Sequence, residues 1–323
     1  MSLVNVPVGV WLFPSAPAPR MVEYVQAAER LGFEEMWLGD EGPARDPLAI
    51  LAAAATCTRS IRLGVGVTNP YVRHPAMTAV SMMTVHELSA GRAILGIGVG
   101  GNMALDPLGL TSVKPLASMR EALETLRAAT RAERGGSYVP RDGAIRAPDM
   151  PIFVGSRSRR INRLASERAD GAFVAGIPVS QAAEVVGWAR SVRRIPIALY
   201  ISVAFEPEDV ERARPEMAWG LLNSSDATIA LTGLPRAAFE SVTVALQRGD
   251  REPARQLMTD SVLRHMLLWG SPDEIGTRLA ALVQELRPDS IGLSLLQVDV
   301  PKALDACADT FAAMRRKLAR GTV

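Results

Sequence analysis

Four stretches of this sequence combine groups able to do chemistry with small residues that let a ligand come close. In Gly64-Val65-Gly66-Val67-Thr68-Asn69-Pro70-Tyr71-Val72-Arg73-His74-Pro75, two glycines near a strand end suggest a bulge or an unusual backbone. Thr68 and Asn69 then offer short polar groups, although Asn-Pro is also ordinary turn chemistry. Gly155-Ser156-Arg157-Ser158-Arg159-Arg160 ends a strand and opens a helix. Free N–H groups, small side chains and the positive helix end make a phosphate cradle there, and Arg157 or Arg159 adds a charge-assisted contact. A solvated basic helix start is the alternative, and the Gly-Ser lead-in weighs against it. Asp40-Glu41 is a carboxylate pair at a strand end, the arrangement in which crowding drives two pKa values apart for acid or base work. On chemistry alone, an exposed polar loop with Asp40 as a helix cap is favoured. Gly96-Ile97-Gly98-Val99-Gly100-Gly101 matches the spacing of a dinucleotide fingerprint, which also requires a helix to open at once. Pro107 argues against an early uninterrupted helix. The better account is a glycine-rich strand end approached closely by a flat ring or a backbone.

These groups need a frame that brings strand ends together. Short, nearly all-apolar runs recur at Val6–Phe13, Glu35–Gly39, Ile61–Val67, Ala93–Val99, Pro151–Gly155, Gly171–Ala175, Pro196–Ala204 and Ser290–Leu296, as parallel strands buried on both faces do. Helices fill the gaps: Arg20–Leu31, Asp46–Cys57, Pro75–Leu88, Ala117–Glu133, Arg159–Arg168, Ser180–Arg193, Asp273–Leu286 and Pro301–Leu318. Asp46 before Pro47 is a helix start, and Gly32 is a helix stop. Repeated β then α predicts a parallel sheet, and eight units predict an α/β fold closed as a (β/α)8 TIM barrel. A doubly wound sheet would show a switch point. Two connections are long, Gly100–Met150 and Phe205–Gly270. These insertions after strands four and seven carry the loop Gly135–Pro148 and helices near Pro207–Leu222, Pro235–Arg248 and Glu252–Arg264. Such connections form substrate walls, or serve packing and dimer contacts. The expected organisation is one domain over residues 1–323. Its chemistry belongs at the strand exits, which include Gly176 and Gln297.

The chain has 323 residues, 48% hydrophobic and 22% charged, with a formal net charge of +2. That is ordinary globular composition, without the electrostatic pull expected of a nucleic-acid or membrane-surface binder. No stretch reaches the length of a membrane span and no signal peptide is evident. Cys57 and Cys307 lack metal-type spacing and read as reduced thiols of a cytoplasmic protein. His74, His86 and His265 lie far apart, so no metal site is expected. A metal-dependent hydrolase is disfavoured because no His/Asp cluster appears at the strand ends.

Taken together, Gly66–Pro75, Glu87-Leu88-Ser89-Ala90-Gly91-Arg92 and Leu95–Gly100, continued by Pro151–Gly155, Ala169-Asp170-Gly171 and Gly270-Ser271-Pro272-Asp273, resemble the luciferase-like superfamily. Within it the chain most resembles the branch that uses the deazaflavin coenzyme F420 (8-hydroxy-5-deazaflavin), and there the 5,10-methylenetetrahydromethanopterin reductases. The resemblance implies an oxidoreductase that exchanges a hydride between F420 and a small organic substrate. It implies a non-prolyl cis peptide at Gly66–Val67 behind the ring, with Thr68, Asn69, Gly98 and Gly100 lining the ring. It puts the phosphate at Gly155, Ser156 and Arg157, and the coenzyme tail beside Ala175 and Gly176. The protein positions and polarises, while the cofactor carries the redox chemistry.

Three departures bear on the substrate. The reductases' glutamate after the first strand's glycine–hydrophobic pair is here Trp11. Their acidic residue after strand four is Gly101, followed by Asn102. Their Asp-His pair after strand two is Asp40-Glu41. These changes point away from a methylene-pterin substrate and leave Asp40 or Glu41 as the candidate catalytic proton handler. The resemblance also implies homodimers through helices two and three. Two other functions fit the same fold: an FMN-dependent monooxygenase, and a flavin-binding barrel without turnover.

Overall fold

The computed structural model describes residues 3–42, 44–222, 224, 226–296 and 299–321; Gln297 therefore lies outside the described residues. Within them the strands are β1 Val8–Leu12, β2 Glu35–Leu38, β3 Arg62–Thr68, β4 Ala93–Gly98, β5 Ile152–Gly155, β6 Gly171–Ala175, β7 Ile197–Ala204, the two-residue β8 Leu268–Trp269, and β9 Ser290–Leu295. Every pairing between them is parallel, and the order β6-β5-β4-β3-β2-β1-β9-β7 closes through β6–β7 into an eight-stranded (β/α)8 barrel. β8 merely extends the end of β7, at Val203 and Ala204. Parallel strands put all eight exits on one face.

Helices α1 Ala18–Arg30, α2 Pro47–Cys57 and α3 Pro75–Leu88 follow the first three strands. After β4 come α4 Asn102–Leu105, a 3-10 turn Asp106–Leu108 and α5 Pro115–Arg131. α6 Arg159–Arg168 and α7 Ala182–Ala189 follow β5 and β6. The connection after β7 holds α8 Pro207–Leu222, α9 Asp226–Ala230, α10 Arg236–Gln247, α11 Glu252–Leu257 and α12 Asp260–Leu263, and then α13 Pro272–Leu286 leads to β9 and α14 Val300–Arg320. Three expectations need correcting. The helix sought at Ser180–Arg193 ends at Ala189, where Arg190 instead ties the chain to the Leu286 and Arg287 carbonyls. The helix sought over Glu252–Arg264 breaks at Met258, and Thr259 starts a new one. A short helix, α9, was not anticipated.

Apolar side chains form three layers. The largest lies between strands and outer helices, from Val10 and Leu38 to Phe311 and Met314. A smaller one holds α8 and α10–α12 together around Phe239 and Leu263. The third fills the barrel with Trp11, Trp37, Ile94, Phe153, Phe173, Ala198 and Tyr200. Its large rings are admitted by glycines at the same level on the next strand. Trp37 stands beside Gly64, Phe153 beside Gly171 and Tyr200 beside Gly292, and a Cβ at any of the three glycines would collide with the ring. Trp37 and Phe173 stack 4.5 Å apart, and Phe173 and Tyr200 5.0 Å apart, centroid to centroid. Beneath the rings the buried Glu35 carboxylate accepts from Trp37 Nε1 at 2.9 Å, Tyr200 OH at 3.0 Å and Ser290 Oγ at 3.1 Å, and it pairs with Arg62. A buried carboxylate is tolerated when its lone pairs are met in this way. Burial, and then the neighbouring Glu35, push the Tyr200 phenol pKa well above its usual value.

The loop that delivers β3 is held from both sides. Glu29 Oε1 accepts from the backbone N–H groups of Arg59, Ser60 and Ile61 at 2.8, 2.6 and 3.0 Å. Arg92 donates to the carbonyls of Ile61 at 2.7 Å, Thr58 at 2.9 Å and Ala55 at 3.2 Å, and its Nε to Ser89 at 2.7 Å. Burial works against the Glu29 charge, but these donors outweigh it and hold the pKa at about 2, against 4.5. With the folded pKa below the free value, this stabilisation is complete above about pH 4.5 and is lost as pH falls through about 2. Arg92→Met is expected to cost about 2–3 kcal/mol, because it leaves buried carbonyls without donors. Glu29→Gln should lower Tm at neutral pH and have little effect near pH 2. Melts of both variants across that range check this, and an equal loss for Glu29→Gln at both ends would refute the carboxylate's role.

Candidate active site at the strand exits

The residues singled out in the sequence converge on the exit face, each carried there by its own strand. β1 ends in Trp11 and Phe13, β2 in Gly39, Asp40 and Glu41, and β3 in Gly66–Asn69. β4 supplies Gly98 and Gly100, β5 supplies Gly155–Arg157, and β6 supplies Ala175 and Gly176. The Gly66–Val67 peptide is cis, and the β3–β4 register shifts between Val65 and Thr68. Val67 is wedged between two glycines. A Cβ on Gly98 would lie 2.9 Å from Val67 Cγ2, and one on Gly155 would lie 2.9 Å from Val67 Cγ1. Gly98 and Gly155 thus make room for the bulge itself.

Trp11 closes the floor beside it. Its ring lies over Gly39, and its Nε1 donates to the Gly66 carbonyl. Phe13, Val67 and Ala175 are half-buried against the interior rings, so the floor is largely apolar. The Thr68 hydroxyl is fully buried, borders the Asp40 carboxyl, and makes no hydrogen bond of normal geometry. Asn69 is also buried, but its Oδ1 accepts from the N–H groups of Tyr71 at 3.0 Å and Val72 at 3.1 Å. Its carbonyl end serves the turn. Gly100, at φ +68, packs against Asn69 and Leu105.

Charge is spread around the rim. Burial is the largest influence on Asp40 and pushes its pKa up; Asp46 acts the same way, while Thr68 and Arg73 oppose it. Asp40 caps no helix: Asp46 caps α2, accepting from Leu48 N at 2.8 Å, and Arg73 pairs with Asp46 at 2.7 Å. Glu41 and Arg157 both reach solvent yet are crowded by protein, as groups on a cleft wall are. Desolvation pushes the Glu41 carboxyl up and the Arg157 guanidinium down, and each partly offsets the other by its charge.

Arg157 crosses from β5 to the β7–β9 connection, where its Nη1 donates to the Gly220 carbonyl at 2.7 Å. Gly176, at φ +62, lets the guanidinium come close: a Cβ there would stand 3.2 Å from Nη2. Ser156 is folded back locally, its Oγ accepting from Ser158 N at 3.1 Å. Ser158 begins α6 without a side-chain cap bond, so no side chain caps the first-turn N–H groups that an anion would use. The glycine-rich β4 exit opens only the four-residue α4, which yields to the 3-10 turn carrying Pro107. Among the described residues, no three His, Cys, Asp or Glu side chains gather as metal ligands.

Sequence reasoning missed the Trp11–Gly66, Arg73–Asp46 and Arg157–Gly220 links. Their partners lie 55, 27 and 63 residues apart, and no local spacing signals them.

With this geometry in place, comparison with known proteins is decisive for the family. The family description luciferase-like monooxygenase matches residues 3–290. The chain belongs to the luciferase-like monooxygenase family. The 5,10-methylenetetrahydromethanopterin reductase of Methanolobus tindarius is 30% identical over 294 residues, covering 85% of this chain and 90% of that protein. The F420-dependent glucose-6-phosphate dehydrogenase of Beutenbergia cavernae is 26% identical over 297 residues, covering 83% and 85%. The structure of the coenzyme F420 dependent tetrahydromethanopterin reductase from Methanopyrus kandleri superposes with a TM-score of 0.78 at 23% identity, covering 96% of this chain and 98% of that one.

In this luciferase-like barrel the segment Glu87–Arg92, part of the family resemblance, is a fastening rather than a ligand site, because Arg92 spends its donors on backbone carbonyls.

The two raised carboxyls make a directional prediction. Their folded pKa values exceed the unfolded ones, so the native state holds these protons more tightly and stability falls as pH rises through that window. Asp40→Asn is therefore expected to raise Tm at neutral pH, and Glu41→Gln, at an exposed and better screened position, to raise it less, with both gains shrinking as pH falls below the carboxylate range. Melts from about pH 4 to 8 check this; variants that melt below the wild type at the upper end would contradict it.

Proposed function

We propose that this chain is an F420-dependent oxidoreductase that moves a hydride between the deazaflavin and a small organic substrate at the strand-exit mouth. The observation that carries the reading is the β3 exit, where Val67 is wedged between Gly98 and Gly155 beside an orphaned, buried Thr68 hydroxyl. An orphaned hydroxyl is costly unless something polar meets it, and the polar edge of a tricyclic ring would. The F420-dependent relatives support the same choice of cofactor.

In this reading Val67 backs the ring, and Thr68, Asn69, Gly98 and Gly100 line it. The α6 start with Ser156 and Arg157 takes the phosphate, with Gly155 at the entrance, and Ala175 and Gly176 flank the tail. The acidic tail of F420 would find Arg157, Arg159 and Arg160 exposed at that edge. When bound, F420 supplies or accepts a hydride at a substrate carbon. Asp40 and Glu41, with raised pKa values, hold the proton that must accompany it. Trp11 occupies the floor with an indole where the reductases carry a carboxylate, which argues for a substrate other than a methylene-pterin. Two unpaired cysteines, Cys57 exposed and Cys307 buried, fit a cytoplasmic enzyme, and no helix among the described residues is long and apolar enough to cross a membrane.

Fluorescence titration should show tight F420 binding and weaker FMN binding. Gly155→Ala, which presses on Val67, should weaken F420 at least about tenfold while leaving the circular dichroism unchanged. FMN binding without F420 binding would overturn the reading, and bound F420 that no donor or acceptor can turn over would leave a binding protein.

We also propose a homodimer through α2 and α3. Neither helix has an amphipathic pattern, and apart from Glu87 their exposed residues are neutral: Ala49, Ala53, Thr56 and Cys57 on α2, and Met77, Thr84 and Leu88 on α3. A helix apolar all round needs a cover. The wild type should sediment as a dimer and Leu88→Asp as a monomer; a monomeric wild type would reject the interface.

A further inference from the structure

We infer that Asn162, buried beneath the start of α6, is a positioning residue for the cofactor phosphate. Its side-chain amide holds the Ser156–Ser158 turn so that the turn's carbonyls face inward and the N–H groups of the helix start stay free for the anion. This role rests on the phosphate position proposed above, but not on which phosphorylated cofactor fills it.

Asn162 is 1% exposed, and a buried asparagine belongs where its amide is met. Here it is met on one side only. Nδ2 donates to the Ser156 carbonyl at 2.8 Å and to the Ser158 carbonyl at 3.1 Å. Oδ1 has no partner. The opposite orientation would set Oδ1 against two carbonyl oxygens, so the contacts fix which way the amide points. The fold thus leaves an acceptor unmet to keep two donors at this turn. Because the amide is buried, the carbonyls that reach it point into the protein, and their partial negative charge is kept from the anion's side.

A helix start leaves several N–H groups without helical partners. The usual remedy is a side chain at the N-cap whose oxygen accepts from one of them. Ser158 stands at that position and makes no such bond. Its own N–H instead donates to Ser156 Oγ at 3.1 Å. The bond from Asn162 N to the Ser158 carbonyl, at 2.9 Å, closes the first helical turn, and the N–H groups of Arg159, Arg160 and Ile161 come before it. Asn162 therefore fixes the turn as a cap would, but from the carbonyl side, and uses none of the donors an anion needs. No acidic residue lies in this first turn. Arg157 leaves the same turn toward Gly176 and the Gly220 carbonyl, adding a charge beside it.

Fluorescence titration of the full-length protein tests this with two pairs of ligands. F420 is compared with its phosphate-free form, the 8-hydroxy-5-deazaflavin that ends in a ribityl chain, and FMN with riboflavin. The wild type should bind the phosphorylated member of at least one pair more tightly. Asn162→Leu, close in volume but without donors, should cut that preference at least about tenfold while the phosphate-free member binds within about twofold of wild type. Circular dichroism shows whether the variant folds, and Asn162→Ser, too short to span both carbonyls, is the milder replacement. Ser158→Asn, at an exposed position, approaches from the other side. Its capping side chain should raise Tm and lower the same preference, because it takes N–H groups the anion uses. This variant decides the matter if neither Asn162 variant folds. An Asn162 that only supports the fold would weaken both members of a pair alike, and that result overturns the proposal. So does a preference that survives in the folded variants, or a wild type indifferent to the phosphate. If the FMN pair behaves as expected and F420 does not bind, the cofactor assignment fails and the role of Asn162 stands. If F420 binds tightly and its preference survives the substitution, the cofactor assignment stands and the role of Asn162 fails.

Discussion

Aromatic rings fill this barrel, and three of them fit because glycines stand beside them. Trp37, Phe153 and Tyr200 each face a position on the neighbouring strand where a Cβ has no space. Interiors are close-packed, so a ring on one strand dictates a glycine on the next. Everything above inherits its height from this layer. The rings end at the level of Trp11 and Val67, and the mouth begins there. Below them Glu35 collects an indole N–H, a phenol and a serine hydroxyl, which fixes Trp37 and Tyr200 in one orientation. The interior is thus a plug whose upper surface is the floor of the candidate site.

The electrostatics of the mouth run against stability. Asp40 and Glu41 are pushed toward their protonated forms chiefly by desolvation, and Arg157 toward its neutral form by the same cause. Folding could have relieved each with a contacting partner, as it does for Asp46 with Arg73 at 2.7 Å. Arg157 instead spends one N–H on a backbone carbonyl and keeps its charge available. Groups held in this condition cluster where a ligand completes them. The orphaned Thr68 hydroxyl belongs to the same pattern, and all four groups lie on strand exits that face one another.

The fold was largely legible in the sequence because its signals are local and repeated. Eight short apolar runs alternating with amphipathic ones require only neighbouring residues to be read, and Asp46 before Pro47 marks a helix start by its own chemistry. The failures came where a distant partner decides. Arg190 stops α7 by reaching carbonyls nearly a hundred residues away, and nothing in Ser180–Arg193 announces it. Asp40 looked like a helix cap because it is an Asp in a loop before a helix, yet Asp46 is nearer the helix and takes that role. The two glycines near the end of β3 suggested a bulge, but the cis bond at Gly66–Val67 was reached through resemblance, since glycines alone do not specify one. Glu87–Arg92 was legible as a motif but not as a function: its arginine is a cross-link, and a cross-link is visible only once α2, β3 and β4 are side by side.

Trp11 shows what a strand exit contributes when it carries neither an acid nor a base. The indole occupies the β1 exit, lies over Gly39, and donates to the carbonyl of the residue that opens the bulge. A carboxylate in that place would accept protons; the indole can only donate one hydrogen bond, and here it donates to the backbone. The indole is thus spent on holding the β3 exit and brings no acid–base group to the floor. On the reading proposed above, proton handling falls to the adjacent β2 exit, whose two carboxyls are shifted toward holding a proton. Both exits stand on the same ring-and-glycine plug. A fold whose exits can be re-equipped one strand at a time over a fixed interior fixes where the chemistry happens and leaves open what is transformed.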